Sequence, residues 1–147
     1  MVYNEAVKKA MNIAVYLHNG QLDRGGYPYM HHLMHVAEQF TTTDEVIVAL
    51  LHDSVEDYGD HAWKLIDIGG FNAQVIHAIS AITRRQNETY DEYIDRLSQN
   101  RLATRVKIED LRHNMNKTRA VLSDSLHKRY KKAFKKLTDL EANRYGS

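Results

Sequence analysis

Eight consecutive residues, Leu50-Leu51-His52-Asp53-Ser54-Val55-Glu56-Asp57, put one histidine and three carboxylates beside a run of Val, Ile, Leu and Ala. At about 100° of rotation per residue, Ile47, Val48, Leu50, Leu51, Ser54 and Val55 fall on one half of a helical wheel. His52, Asp53, Glu56 and Asp57 fall on the other, around the small Ala49. No Lys or Arg interrupts that face between Glu45 and Asp60. Surface helices usually balance acids with Lys or Arg one turn away, and packed carboxylates repel unless a cation sits among them. The spacing therefore predicts half of a metal site.

Two other segments could complete it. Leu102, Ala103, Val106 and Asp110 lie on one helical stripe, continued by His113 and Asn114. A carboxylate on a buried stripe needs a cation or hydrogen bonds, whereas an Asp near a helix end could equally reach solvent or pair with Arg101 or Arg105. The run Met30-His31-His32-Leu33-Met34-His35 offers three imidazoles. His31 and His35, at i and i+4, could chelate a metal from the outer face, and His32 borders the core face. Geometry read from sequence does not choose among the three. Two imidazoles with two carboxylates suit a divalent ion such as Mn, Fe or Zn. Such an ion supplies a water of lowered pKa for attack on phosphorus, and Glu56, one turn beyond His52, is spaced to take or orient its proton.

Helices must carry these groups. The only proline is Pro28, and the seven glycines avoid the interiors of the periodic segments, which predicts an all-α protein. Eight helices are expected over about residues 3–18, 28–40, 44–58, 60–67, 71–84, 89–99, 101–115 and 119–143, with Thr43 or Asp44 as N-cap of the third. Pro28 suits the first turn of the second helix. The basic stretch from His127 to Lys136 reads as a solvated helix face, with Tyr130, Phe134 and Leu137 as its packing stripe.

A chain of 147 residues predicts a single domain, 1–147. The absence of cysteine excludes disulfides, thiolate ligands and a cysteine nucleophile. A formal net charge of +1 gives no general attraction to nucleic acid or membrane surfaces. The polar N-terminus is unlike a signal peptide and no apolar run approaches membrane-spanning length, so a cytoplasmic location is expected. Sequence leaves the oligomeric state open, a homodimer included.

The order His, His-Asp, distant Asp resembles the HD-domain metal-dependent phosphohydrolases. The local text is closest to the hydrolase domain of the RelA/SpoT alarmone enzymes and the small stand-alone alarmone hydrolases. The stretches that carry the resemblance are HNGQ (18–21), GYPYMHHLMHVA (26–37), ALLHDSVEDY (49–58) and RVKIEDLRHNM (105–115), in that order. The resemblance implies a compact HD-type bundle of seven to eight helices. It assigns the metal ligands to His32, His52, Asp53 and Asp110, with one Mn²⁺ (or Fe, Zn, Ni or Co in its place). It assigns the catalytic acids to Glu56 and Asp57 and the ribose contact to Asn114. Arg24, Tyr29, Lys107 and Lys117 are further candidate contacts to substrate. The implied activity is hydrolysis of the 3′-diphosphate of (p)ppGpp to GDP or GTP and pyrophosphate, without a synthetase region. Several positions depart from the family pattern. Asp23-Arg24 stands where an Arg-Lys pair is usual, Leu33 replaces a proline, Leu111-Arg112 inverts the usual Arg-Leu, and Lys117 replaces a threonine. An acid at position 23 opposes a polyanionic ligand. It keeps open another nucleotide (a monophosphate, deoxynucleotide, NADPH or modified nucleotide) and a non-catalytic nucleotide-sensing module.

Overall fold

The computed structural model of the chain describes residues 1–145. Among them are eight helices and no strand: α1 (Glu5–Leu17), α2 (Tyr29–Glu38), α3 (Thr43–Leu51), α4 (Ser54–Gly69), α5 (Ala73–Ile82), α6 (Tyr90–Leu97), α7 (Arg101–Asn114) and α8 (Asp124–Tyr145). No helix among these residues is long and apolar enough to cross a membrane.

Helix α3 is the axis of the bundle. Every residue from Glu45 to Leu51 is buried, so the half-polar wheel expected of this segment gives way to burial on all sides. Helices α1, α2, α5 and α7 pack around it. Val7, Ala10, Leu33, Val36, Ile79 and Val106 close the main core against Val46, Val48, Leu50 and Leu51. Each fully buried large aliphatic side chain contributes roughly 1.5–3 kcal/mol. A second cluster joins α6 to the outer part of α7 and to α8 through Tyr93, Leu97, Leu111 and Leu137, with Tyr130 and Phe134 packed against it as the stripe on α8 requires. Helix α7 thus lies between two cores, and Asp110 sits on its buried side.

The local chemistry explains most boundaries. Asn4, Asn72, Thr89 and Asn100 accept backbone N–H bonds at the starts of α1, α5, α6 and α7, and Thr89 with Glu92 forms a reciprocal capping box. The third helix starts one residue earlier than expected, with Thr42 rather than Thr43 or Asp44 at its N-cap. Thr42 does not cap through its side chain; its hydroxyl donates instead to Glu45 (2.6 Å). Pro28 precedes α2 rather than lying in its first turn. The last helix begins at Asp124, because residues 116–123 are spent on turns that reach back toward the first loop.

The largest difference lies in the motif itself. Helical pairing lapses between α3 and α4, at His52 and Asp53. The backbone stays right-handed there but loosens at Asp53 to φ −102°, ψ −2°. No glycine or proline marks this break. Its cause is the His52 ring, whose Nδ1–H takes the Ala49 carbonyl (2.6 Å). A second bend follows at Gly59, whose φ of +57° with ψ of −134° suits glycine alone. It separates the acidic start of α4 from its remainder, where a separate short helix was expected.

Candidate metal centre

The break brings two consecutive side chains to one point. His52 Nε2 lies 3.1 Å from Asp53 Oδ2 and 3.2 Å from Asp110 Oδ1. From α2, His32 Nε2 lies 2.9 Å from Asp110 Oδ1 and 3.8 Å from Asp53 Oδ2. One ligand atom from each of His32, His52, Asp53 and Asp110 falls within 4.8 Å of all the others. Of the three neighbouring histidines, His32 is the one turned inward; it is 1% exposed, while His35 faces outward. Two nitrogens and two oxygens converging in a buried place form a donor set that fits a divalent ion.

Burial makes that fit an electrostatic need. Burial alone raises the pKa of Asp53 and Asp110, but both are held below the ordinary carboxylate range, Asp53 by the His52 charge and Asp110 by Lys107 and then His52. Lys107 Nζ donates to Asp110 Oδ2 (2.8 Å), so the partner of this acid is Lys107 rather than Arg101 or Arg105. Arg105 pairs with Glu45, and Arg101 with Glu141. For His52, burial opposes the charge, but Asp53 and Asp110 outweigh it and hold the ring's pKa well above 6.5. Without metal the centre therefore balances two carboxylates against two cations, His52 and Lys107.

A proton on His52 competes with a metal ion for Nε2. Because its folded pKa is raised, the stabilisation from this proton is full below about pH 6.5 and is lost as pH rises through the folded value. Divalent-ion binding at neutral pH is accordingly expected to release about one proton, and apparent affinity to rise by up to about tenfold per pH unit until His52 is neutral. Calorimetry in buffers of different ionisation heat measures both quantities.

The cluster opens on a cavity of about 330 Å³. Asp53 and Asp110 reach it from the metal side, and Glu56, Asp57, Arg24, Tyr29, Lys107 and Asn114 also line it. Lys117 does not line it and is exposed. Tyr29 donates its hydroxyl to Asp53 Oδ2, and burial first, then the Asp53 charge and this bond, push the phenol pKa up. Asn114 Nδ2 donates to Asp110 Oδ1 (3.1 Å). Glu56 accepts the Arg84 backbone N–H (2.6 Å), and Asp57 accepts from Gln21 (3.2 Å). Burial first, with the nearby Asp53 charge, raises the pKa of both acids.

Two polar lining residues that hold expected site groups, Gln21 and Arg119, lay outside the sequence expectation, as did Tyr130, which was read only as part of the packing stripe of the last helix. Gln21 is a junction: its Oε1 accepts the Tyr58 hydroxyl (2.6 Å) and meets His18 Nδ1 (2.7 Å), which fixes the amide that holds Asp57. Its place in HNGQ was the available signal. Arg119 had none, because it comes from an irregular loop. Its Nε donates to Asp23 Oδ2 (3.0 Å) and its Nη1 to Asn114 Oδ1 (2.7 Å). Asp23, whose side chain is only 4% exposed, also accepts the N–H groups of Gly25 and Tyr27 (both 2.9 Å). Burial works against the Asp23 charge, yet these bonds hold its pKa below the ordinary value. The acid at position 23 is thus neutralised from within. A Cβ on Gly25 would lie 2.0 Å from the Arg119 carbonyl oxygen, so this glycine lets the two loops touch.

No family model matches the chain. It is 27% identical to a protein named GTP pyrophosphokinase from Myxococcus xanthus, over 76% of this chain and 17% of that protein. It is 29% identical to a probable GTP pyrophosphokinase from Mycobacterium leprae (strain TN), over 77% of this chain and 16% of that protein. The chain therefore spans about a sixth of the length of the curated relatives it matches.

Proposed function

We propose that this chain is a metal-dependent nucleotide phosphohydrolase that releases pyrophosphate from the 3′-diphosphate of (p)ppGpp. The observation that carries the reading is the buried cluster of His32, His52, Asp53 and Asp110 opening on a cavity that holds both acids and cations. These four residues would hold a divalent ion, Mn²⁺ in the family the chain resembles, which when bound would supply Lewis acidity and lower the pKa of water. Glu56 orients the attacking water and takes its proton, its pKa already raised by burial. Asp57, held by Gln21, assists. The bond that breaks joins the 3′-oxygen to phosphorus; the phosphorus gains the water oxygen, and the 3′-oxygen leaves with a proton. Arg24 and Lys107 line the same cavity as sources of positive charge for the phosphates, and Asn114, also in that lining, is the candidate contact for the sugar.

The two relatives are named for pyrophosphoryl transfer to GTP, which supports a guanosine nucleotide as ligand. Hydrolysis is the direction supported by the histidine–aspartate cluster. The Asp23–Arg119 pair removes the main objection to a polyanion, since Asp23 brings no unbalanced negative charge. The dipeptide Asp23-Arg24 nevertheless stands where an Arg-Lys pair is usual in the family the chain resembles, and this departure favours a second reading in which the same chemistry acts on another nucleotide.

Incubation with Mn²⁺ and a panel of ppGpp, deoxynucleotides, nucleoside monophosphates and NADPH tests both. Pyrophosphate and GDP from ppGpp are expected. Orthophosphate or pyrophosphate from another nucleotide alone transfers the mechanism to that substrate, and turnover independent of metal overturns it.

A further inference from the structure

We propose that His113 is a positioning residue for the metal centre, accepting the Nδ1–H of His32 so that the Nε2 lone pair of His32 faces the cluster. The inference rests on the metal-centre reading above and concerns a residue outside its ligand set.

The geometry is specific. His32 Nε2 is the atom directed at the carboxylates, 2.9 Å from Asp110 Oδ1. A neutral imidazole carries one N–H, so a lone pair at Nε2 requires the hydrogen at Nδ1. That Nδ1 is buried and lies 2.8 Å from the Nδ1 of His113. Two imidazole nitrogens at this distance share one hydrogen. The rings are within 7° of parallel with centroids 5.1 Å apart, which fits rings lying edge to edge and joined through these nitrogens. His113 must then accept at Nδ1 and carry its own hydrogen at Nε2. It sits one turn beyond Asp110 on α7 and is 4% exposed. The His35 ring lies against it at 3.9 Å, tilted by 13°. One helix thus supplies both a carboxylate ligand and the group that sets a histidine ligand.

The two ligand histidines are held differently. The outer nitrogen of His52 donates to the Ala49 carbonyl, which can only accept, so its tautomer is fixed. An imidazole can accept or donate. Without metal, His32 can donate from Nε2 to Asp110 while His113 donates from its own Nδ1. With metal, both rings exchange tautomer and neither changes charge.

The test combines metal binding with nitrogen NMR. Histidine-¹⁵N spectra of the unaltered chain with Zn²⁺, a diamagnetic probe, should show His32 protonated at Nδ1 and His113 at Nε2. Mn²⁺ affinity, measured by calorimetry, should fall about 10–100-fold in His113→Phe, the usual loss when a group supporting a ligand histidine is removed. His113→Asn, whose amide oxygen can accept near the Nδ1 position, should recover most of it. A His113 protonated at Nδ1 in the Zn²⁺ form, or a folded His113→Phe that binds Mn²⁺ like the parent, overturns the proposal. If His113→Phe does not fold, the spectra of the unaltered chain decide. A parent chain that binds no divalent ion removes the metal-centre reading and this inference with it; binding by the parent and by His113→Phe alike removes only the role of His113.

Discussion

Asp53→Ala is expected to leave a folded protein that neither retains a divalent ion nor turns over nucleotide. Asp53 Oδ2 faces both ligand nitrogens, 3.1 Å from His52 and 3.8 Å from His32. Asp110 cannot replace it, because it already faces the same two imidazoles and holds Lys107. Asp53 precedes α4, yet its side chain makes no capping bond to that helix. The substitution therefore removes a ligand without removing a helix start. Metal affinity should fall by more than the roughly 10–100-fold cost of losing a group that only supports a ligand. Circular dichroism should keep the helical spectrum while calorimetry with Mn²⁺ shows no binding. A variant that still binds and turns over would remove Asp53 from the ligand set.

Lys107→Met is expected to act in the opposite sense on stability and on metal binding. Lys107 is largely withdrawn from solvent and donates to Asp110, and that carboxylate holds its charge despite the opposing effect of burial. Removing the cation leaves the metal-free centre one negative charge in excess. The expected cost is about 3 kcal/mol, at the lower end for breaking a buried pair because His32 and His52 still face Asp110. A divalent ion that displaces the His52 proton restores the balance, whereas in the parent it leaves the centre one positive charge in excess. Lys107→Met should thus unfold at lower denaturant without metal and gain more stability from Mn²⁺ than the parent does. Denaturation with and without the ion measures the difference; equal gains would show that Lys107 and the metal site are electrostatically independent.

The sequence held much of this architecture in readable form. The scarcity of glycine and proline inside periodic segments pointed to the helices and their order, and the stripe on α7 offered Asp110 a buried face without choosing it over solvent or an Arg partner. What escaped was tertiary in origin. The interruption between α3 and α4 contains no helix breaker; it arises because a histidine ring competes for a backbone carbonyl. The histidine run could not be resolved by its own spacing, since the inward position of His32 depends on Asp110 and His113, 78 and 81 residues away. Arg119 was invisible for the same reason, its partner Asp23 lying 96 residues earlier. An acid that opposed a polyanion when read alone is, in the fold, half of a neutral pair.

The all-round burial of α3 has a kinetic consequence. His52 hangs from the end of a segment with no exposed residue between Glu45 and Leu51, so moving its backbone requires opening a helix that is buried on all sides. The opposite wall of the cavity is made of two irregular loops, joined at Gly25 and Arg119 and bordered by exposed residues. Such loops open at small cost, without global unfolding. The two walls therefore keep separate clocks: the loop side can open many times before the helix that carries His52 moves once, so whatever reaches or leaves the histidine–aspartate cluster has the loop side as its route.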